Sequence, residues 1–289
     1  MAALKLARDL RRRLASVVGA VVQMNSGEDR DTNLAHAEEL VRRAAAHGAQ
    51  LVVLPEKFNR LGRPQFCAEH AETLDGPTVQ WARRLASELE VDLVAGSLLE
   101  RRPDGPPANA AVHVRPDGEI AAVYRKIHLF DVDVGSTSYR ESAYESRGDR
   151  VVVSELADGT KLGLAICYDL RFPELFRCLA LAGAQVVALP AAFTVPTGRA
   201  HWEVLVRARA IENQLFVLAA GQVGRHPPDH ESFGHSLVVD PWGAVLARVA
   251  AGEGVAGARL EFARQRELRA RVPVLSQRVP DAYQVPAHA

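Results

Sequence analysis

Short unbroken apolar runs alternate along this chain with amphipathic stretches, and their order predicts the elements. The run VVGAVV predicts a strand over 17–24. A polar turn follows, then a helix over 33–47, capped by Asp31 or Thr32 and stopped by Gly48. LVVL at 51–54 is continuously apolar, as in a strand covered on both faces. Pro77 opens a second helix, through about 89, with Val79, Ala82, Leu85, Ala86 and Leu89 on one apolar stripe. Strands are expected at 93–97, 110–115 and 120–124, the last two joined by a turn at RPDG, 115–118.

The same order then returns. A strand at 162–166 leads to a helix from Pro173 to Gly183, a strand at 186–189 and a helix over about 201–213. Strands at 216–220, 236–240 and 245–249 follow, with DPWG (240–243) where RPDG stood before. The two copies meet most clearly in GAQLVVLPEKF (48–58) and GAQVVALPAAF (183–193). Two mixed copies do not make a solenoid, which needs more repeats. They predict an α/β fold in four layers, an αββα sandwich with an internal pseudo-twofold repeat, in which sheet covers sheet and helices lie outside.

Positions where one copy holds a reactive residue and the other an inert or merely polar one point to chemistry. Glu56 faces Ala191, Lys126 faces Ala251 when PDGEIAAVYRK is set against PWGAVLARVAA, and Cys167 faces Gln23. Each stands at the end of an apolar strand, where rigid scaffold meets loop. Singly, they read as a turn residue, a solvated lysine and a core cysteine. Together they supply a nucleophile, a carboxylate to take its proton and an amine to hold an oxyanion. CYDLRFPEL places the thiol at a strand-to-helix turn, where orphan amides and the helix dipole favour thiolate. The set predicts acyl transfer through a thioester.

Composition narrows the classes. Lys plus Arg and Asp plus Glu balance at 35 each, so no overall charge draws the chain to nucleic acid or an anionic membrane. The apolar runs are too short to cross a bilayer. Three cysteines, Cys67, Cys167 and Cys178, fit neither a zinc spacing nor C-x-x-C, so free thiols and a cytoplasmic, reducing setting are expected. Residues 1–16 are basic and rich in Ala and Leu; they read as a bland extension or an organellar presequence, ahead of one domain over 17–289.

The motifs LPEKF, YRKIHLFD and GLAICYDLRFPE resemble those of the nitrilase superfamily of carbon–nitrogen hydrolases, and the resemblance runs over about 17–283. It implies Glu56 as general base, Lys126 as oxyanion donor and Cys167 as nucleophile, with Glu141 in YRESAY as a second glutamate positioning lysine and substrate. It also implies the αββα sandwich, a homodimer, and neither metal nor organic cofactor. Tyr168-Asp169 stands where nitrile hydrolases of the superfamily carry Trp-Glu, which favours an amidase. Where relatives carry Pro-Gly, this chain has VGSTS at 134–138.

Several further stretches resemble two branches, the ω-amidases acting on α-ketoglutaramate and the deaminated glutathione amidases. GQVGRHPPDHESFGHSLVVDPWG (221–243) favours the second. The implied partner is a small-molecule amide with a carboxylate end. Arg171, one helical turn past Cys167, is the cation expected for that end unless it pairs with Glu174. Tyr168, Phe193 and Thr194 complete the expected substrate-binding set, the last two being equally readable as packing. Three rival readings remain: a Cys167–His128 pair of cysteine-protease type, a metal held by His226, His230 and His235, and an inactive scaffold. Cys178, on the apolar side of a helix, is expected in the core.

Overall fold

Two six-stranded sheets organise the chain, and they are built to one plan. The protein is described from a computed structural model that covers residues 16–135 and 137–283; the extension expected at 1–16 lies outside them, except for Ser16. In the first half, β1 (Val17–Gln23), β2 (Leu51–Val53), β3 (Asp92–Glu100), β4 (Ala108–Val114) and β5 (Ile120–Arg125) carry α1 (Arg30–Ala46), α2 (Pro64–Glu69) and α3 (Pro77–Leu89) between them. A hairpin, β6 (Asp131–Val134) and β7 (Thr137–Arg140), leads to the second half. There β8 (Val153–Glu155), β9 (Lys161–Leu164), β10 (Val186–Ala191) and β11 (Phe216–Gly221) carry α4 (Pro173–Leu181) and α5 (Val195–Asn213). A second hairpin, β12 (Val223–His226) and β13 (His230–Phe233), precedes β14 (Leu237–Val239), β15 (Val245–Arg248), β16 (Gly254–Leu260) and α6 (Phe262–Arg271).

The sheet orders are β16-β1-β2-β3-β4-β5 and β15-β14-β11-β10-β9-β8. Read in opposite directions they superimpose, each with one antiparallel edge strand (β16 or β8), then three parallel strands and two antiparallel ones. The repeat extends to single bonds: Gln50 N–H donates to Val18 O at 2.8 Å, and Gln185 N–H to Lys161 O at 2.9 Å, a register that corrects the counterpart of Cys167 from Gln23 to Met24.

Alternate residues of each strand face opposite layers. Val17 and Val21 of β1, with Leu51 and Val53 of β2, enter the core shared with the second sheet. Ala20, Val22, Val52 and Leu93 face the other way, against Leu40 and Val41 of α1 and Val79, Ala82 and Leu85 of α3. Phe176 and Leu179 of α4 and Trp202, Val206 and Ala210 of α5 cover the second sheet's outer face. Burial on both faces explains the continuous apolar runs of the central strands.

Three details differ from the sequence expectation. The first helix starts at Arg30 because Asp29, not Asp31 or Thr32, is its cap and accepts from Thr32 N–H at 2.8 Å. α5 begins at Val195, six residues before the expected 201, since Pro196 sits in its first turn, where no amide hydrogen is needed. Cys178 is exposed rather than core, on the outward side of α4.

Candidate active site

β2, β5 and β9 run toward one end of the sandwich, and the residues just past their ends converge there. Glu56 follows β2, Lys126 follows β5 directly, and Cys167 follows β9. All three are buried, at 3%, 1% and 7% exposure, yet line a cavity of about 390 Å³. Lys126 Nζ donates to Glu56 Oε1 at 3.0 Å and to Glu141 Oε1 and Oε2 at 3.0 and 2.8 Å. Asn109 Nδ2 donates to Glu56 Oε1 and Ala192 N–H to Glu56 Oε2, both at 2.9 Å. The Cys167 thiol shares the cavity with the same glutamate, whose carboxylate favours the protonated thiol.

Electrostatics set the resting protonation. Burial pushes the Cys167 thiol well above its ordinary pKa, the charge of Glu56 adds to this, and Lys126 only partly opposes it. The expectation that the turn favours thiolate is therefore corrected: the five-residue 3₁₀ turn at Cys167–Arg171 leaves the thiol protonated until a base removes its hydrogen. Burial works against charge on Lys126, but Glu141 and Glu56 outweigh it and raise its pKa well above the lysine norm. Glu141 is held far below the usual carboxylate range, because Lys126 and Lys57 together overcome its burial.

Lys57 and Glu145 extend the cluster, and the sequence reading passed over both. Lys57 Nζ donates to Glu141 Oε1 at 3.2 Å and pairs with Glu145. Burial, reinforced by Glu141, pushes Glu145 up to about 8, so at neutral pH it holds a proton. Lys57 sits beside Glu56 in LPEKF, and Glu145 is four residues past Glu141, so proximity in sequence was the available signal.

Asp169 fixes the turn that presents the thiol. Fully buried, it accepts from Ile166 N–H at 2.8 Å, Tyr124 Oη–H at 2.7 Å and His128 N–H at 3.2 Å. Cys167 itself has φ +47°, a strained conformation for a side-chain-bearing residue and one found at functional turns. His128 Nδ1 lies 2.7 Å from Asp169 Oδ1 and its ring stacks on Phe172. The Cys167–His128 reading is thereby corrected, since the imidazole is tied to Asp169 and does not line the cavity.

Tyr168, Phe193 and Thr194 line the cavity as expected residues of its wall. Arg171 does not; its guanidinium lies 5.4 Å from the Phe193 ring centre and 5.9 Å from that of Tyr168, and donates to His201 Nδ1 at 3.4 Å rather than pairing with Glu174. Among the described residues no cluster of His, Cys, Asp or Glu could hold a metal, which removes the reading of His226, His230 and His235 as ligands. No helix of the described residues is long and apolar enough to cross a membrane. The 134–138 departure lies at the β6–β7 hairpin, whose Ser138, Tyr139 and Arg140 roof the cavity.

The family model for carbon–nitrogen hydrolases matches residues 20–270. The chain belongs to the carbon–nitrogen hydrolase family. Among relatives of this hydrolase, human deaminated glutathione amidase is 43% identical over 270 residues, covering 91% of this chain and 83% of that protein. Human omega-amidase NIT2 is 37% identical over 267 residues, covering 92% and 96%. The crystal structure of the C. elegans NitFhit protein superimposes with a TM-score of 0.88 at 38% identity, covering 94% of this chain and 67% of that one. The αββα sandwich is thus the nitrilase-superfamily fold, and the enzyme is a hydrolase of the amidase type, not an inactive scaffold.

Proposed function

We propose that this carbon–nitrogen hydrolase cleaves deaminated glutathione, N-(4-oxoglutaryl)-cysteinylglycine, to 2-oxoglutarate and cysteinylglycine through a thioester on Cys167. The observation that carries the chemistry is one buried carboxylate, Glu56, bonded to the Lys126 ammonium and lining the same cavity as the Cys167 thiol, on whose proton it acts. The substrate is supported by likeness to the amidase of that name.

In this reading Glu56 takes the thiol proton as sulfur attacks the amide carbon, and the carbonyl oxygen becomes an oxyanion. Once protonated, Glu56 holds the Lys126 ammonium less strongly, which frees an N–H of Lys126 for that oxyanion. Glu56 then passes its proton to the amide nitrogen, the C–N bond breaks and the dipeptide leaves. Glu56 next removes a proton from water; the hydroxide attacks the thioester, the C–S bond breaks, and sulfur recovers its proton from Glu56. Glu141 positions Lys126, and Tyr168, Phe193 and Thr194 form the wall against the acyl group.

A homodimer and a reducing, cytoplasmic setting belong to the same proposal. Exposed Leu181, Val204 and Ile211 on α4 and α5 support the first, and three free cysteines the second.

The alternative is ω-amidase activity on α-ketoglutaramate, favoured by the likeness to NIT2. Both amides release 2-oxoglutarate, so one coupled assay compares them. The proposal expects a clear kcat/KM preference for deaminated glutathione, lost by several orders of magnitude in Cys167→Ala. Preference for α-ketoglutaramate would overturn the substrate assignment.

A further inference from the structure

The acid end of either candidate amide still lacks a partner. Arg171, expected in that role, does not line the cavity; among the described residues the fixed cations that do are Lys57, Lys126 and Arg140. Lys126 spends its N–H groups on Glu56 and on both oxygens of Glu141, and the reaction assigns it the oxyanion. Arg140 is exposed and turns its guanidinium to Asp133 and to the carbonyl oxygens of Val132 and Tyr139. Lys57 has two acceptors among the described residues, Glu141 Oε1 and Glu145 Oε1, which leaves one N–H of its ammonium unassigned.

The turn after β2 holds Lys57 against the cavity. Its φ is +52°, a left-handed conformation that is costly for a side-chain-bearing residue, and its N–H donates to Ser97 Oγ at 2.9 Å. Its side chain keeps 15% exposure, against 1% for Lys126 and 3% for Glu145, so it is the most open member of the ion row. Burial opposes its charge, but Glu145, Glu141 and Glu56 outweigh burial and raise its pKa, so the ammonium persists.

The distances suit one short acyl chain. Lys126 and Lys57 both donate to Glu141 Oε1, at 3.0 and 3.2 Å, so their nitrogens lie within about 6 Å of each other. In the 2-oxoglutaryl group four C–C bonds separate the scissile carbon from the carboxylate carbon, about 5 Å at full extension. A chain whose carbonyl oxygen meets Lys126 can therefore bring its far end to Lys57.

We propose that Lys57 is the cation that binds the carboxylate end of the acyl group, so that the substrate spans the two ammonium groups joined by Glu141. This rests on the reading of the substrate as an amide with a carboxylate end, a feature common to both candidate amides.

The test measures kcat and KM of the full-length protein on deaminated glutathione, on α-ketoglutaramate and on the counterpart of each in which a methyl group replaces the acyl carboxylate. Lys57→Met should lower kcat/KM for the acids about tenfold or more beyond its effect on the methyl compounds, mainly through KM. Equal losses on acids and methyl compounds would show that Lys57 only supports Glu141 and would overturn the site.

A pH profile of wild type gives a second readout, one that stands even where Lys57→Met does not fold. Lys57 faces Glu145, Glu141, Glu56 and Lys126, and its charge acts on the Cys67 thiol. Near pH 8 Lys126 and the buried Cys67 keep their protons and Glu141 its charge, whereas Glu145 titrates at about 8. Ionised Glu145 competes with the substrate for Lys57, so the wild-type preference for acids should fall between about pH 7 and about pH 9 and persist in Glu145→Gln. A wild-type preference that stays constant over that range would also overturn the site. Wild type that cleaves neither acid, or that cleaves the methyl compounds equally well, would instead refute the carboxylate-ended substrate on which the site rests.

Discussion

Glu56, Lys126, Glu141, Lys57 and Glu145 form an alternating chain of acids and amines, each bonded to the next. Such a buried row stays near neutrality only if one acid keeps a proton, and Glu145 is that acid. Its folded pKa of about 8 exceeds the ordinary 4.5, so between those values the folded chain holds a proton the unfolded chain has released. Stability on this account falls as pH climbs through that window and levels off above it. Melting curves taken from about pH 5 to about pH 9 should therefore show wild type losing stability relative to Glu145→Gln; parallel curves would contradict the assignment. At this scale the sequence showed the first three members of the row and not the last two, Lys57 and Glu145. Glu56, Lys126 and Cys167 stood out because their counterparts in the other half are inert or uncharged. Asn109 gave no such signal, since its role depends on a partner 53 residues away.

Two glycines show how elements hold the catalytic residues in register. Gly96, in β3, lies so near the strand-end turn that a Cβ would stand 2.7 Å from Leu54 O and still closer to Pro55 O. Gly148 packs in the same way on Arg125 O, and its N–H donates to Lys126 O at 2.7 Å. One glycine thus fixes the backbone before Glu56 and the other the backbone at Lys126. Gly96→Ala and Gly148→Ala should each cost about 1–3 kcal/mol in denaturant unfolding and lower kcat, since relief of the clash moves a catalytic residue. Wild-type activity in either variant would show that the strand ends tolerate displacement. The succession of the central strands and both β-turns were legible because apolar runs and RPDG or DPWG punctuation are local signals, whereas the edge strands β8 and β16 were not. The β6–β7 hairpin was not: VGSTS carries no apolar alternation, and its strands, largely exposed, pair among the described residues only with each other.

Across the whole molecule, the internal repeat explains both the architecture and the single site. Each half contributes one sheet and its covering helices, except that β16, from the end of the second half, forms the edge of the first sheet. The strand ends of both halves meet at one end, where Ala192 N–H, beside the counterpart of Glu56, donates to Glu56 Oε2, so a single site forms there. The described part of the C-terminal tail leaves Val279 and Tyr283 exposed, and α4 and α5 expose Leu181, Val204 and Ile211. Light scattering should give about twice the 31.4 kDa chain mass, and Val204→Glu should shift it toward one chain; a wild-type monomer would contradict the dimer. The central claim is a thioester on Cys167, and the most direct measurement is mass spectrometry of acid-quenched protein during turnover of deaminated glutathione. The account predicts a 2-oxoglutaryl group on the Cys167 peptide and neither adduct nor turnover in Cys167→Ala. An acyl group on another residue, or turnover that survives in Cys167→Ala, would contradict it.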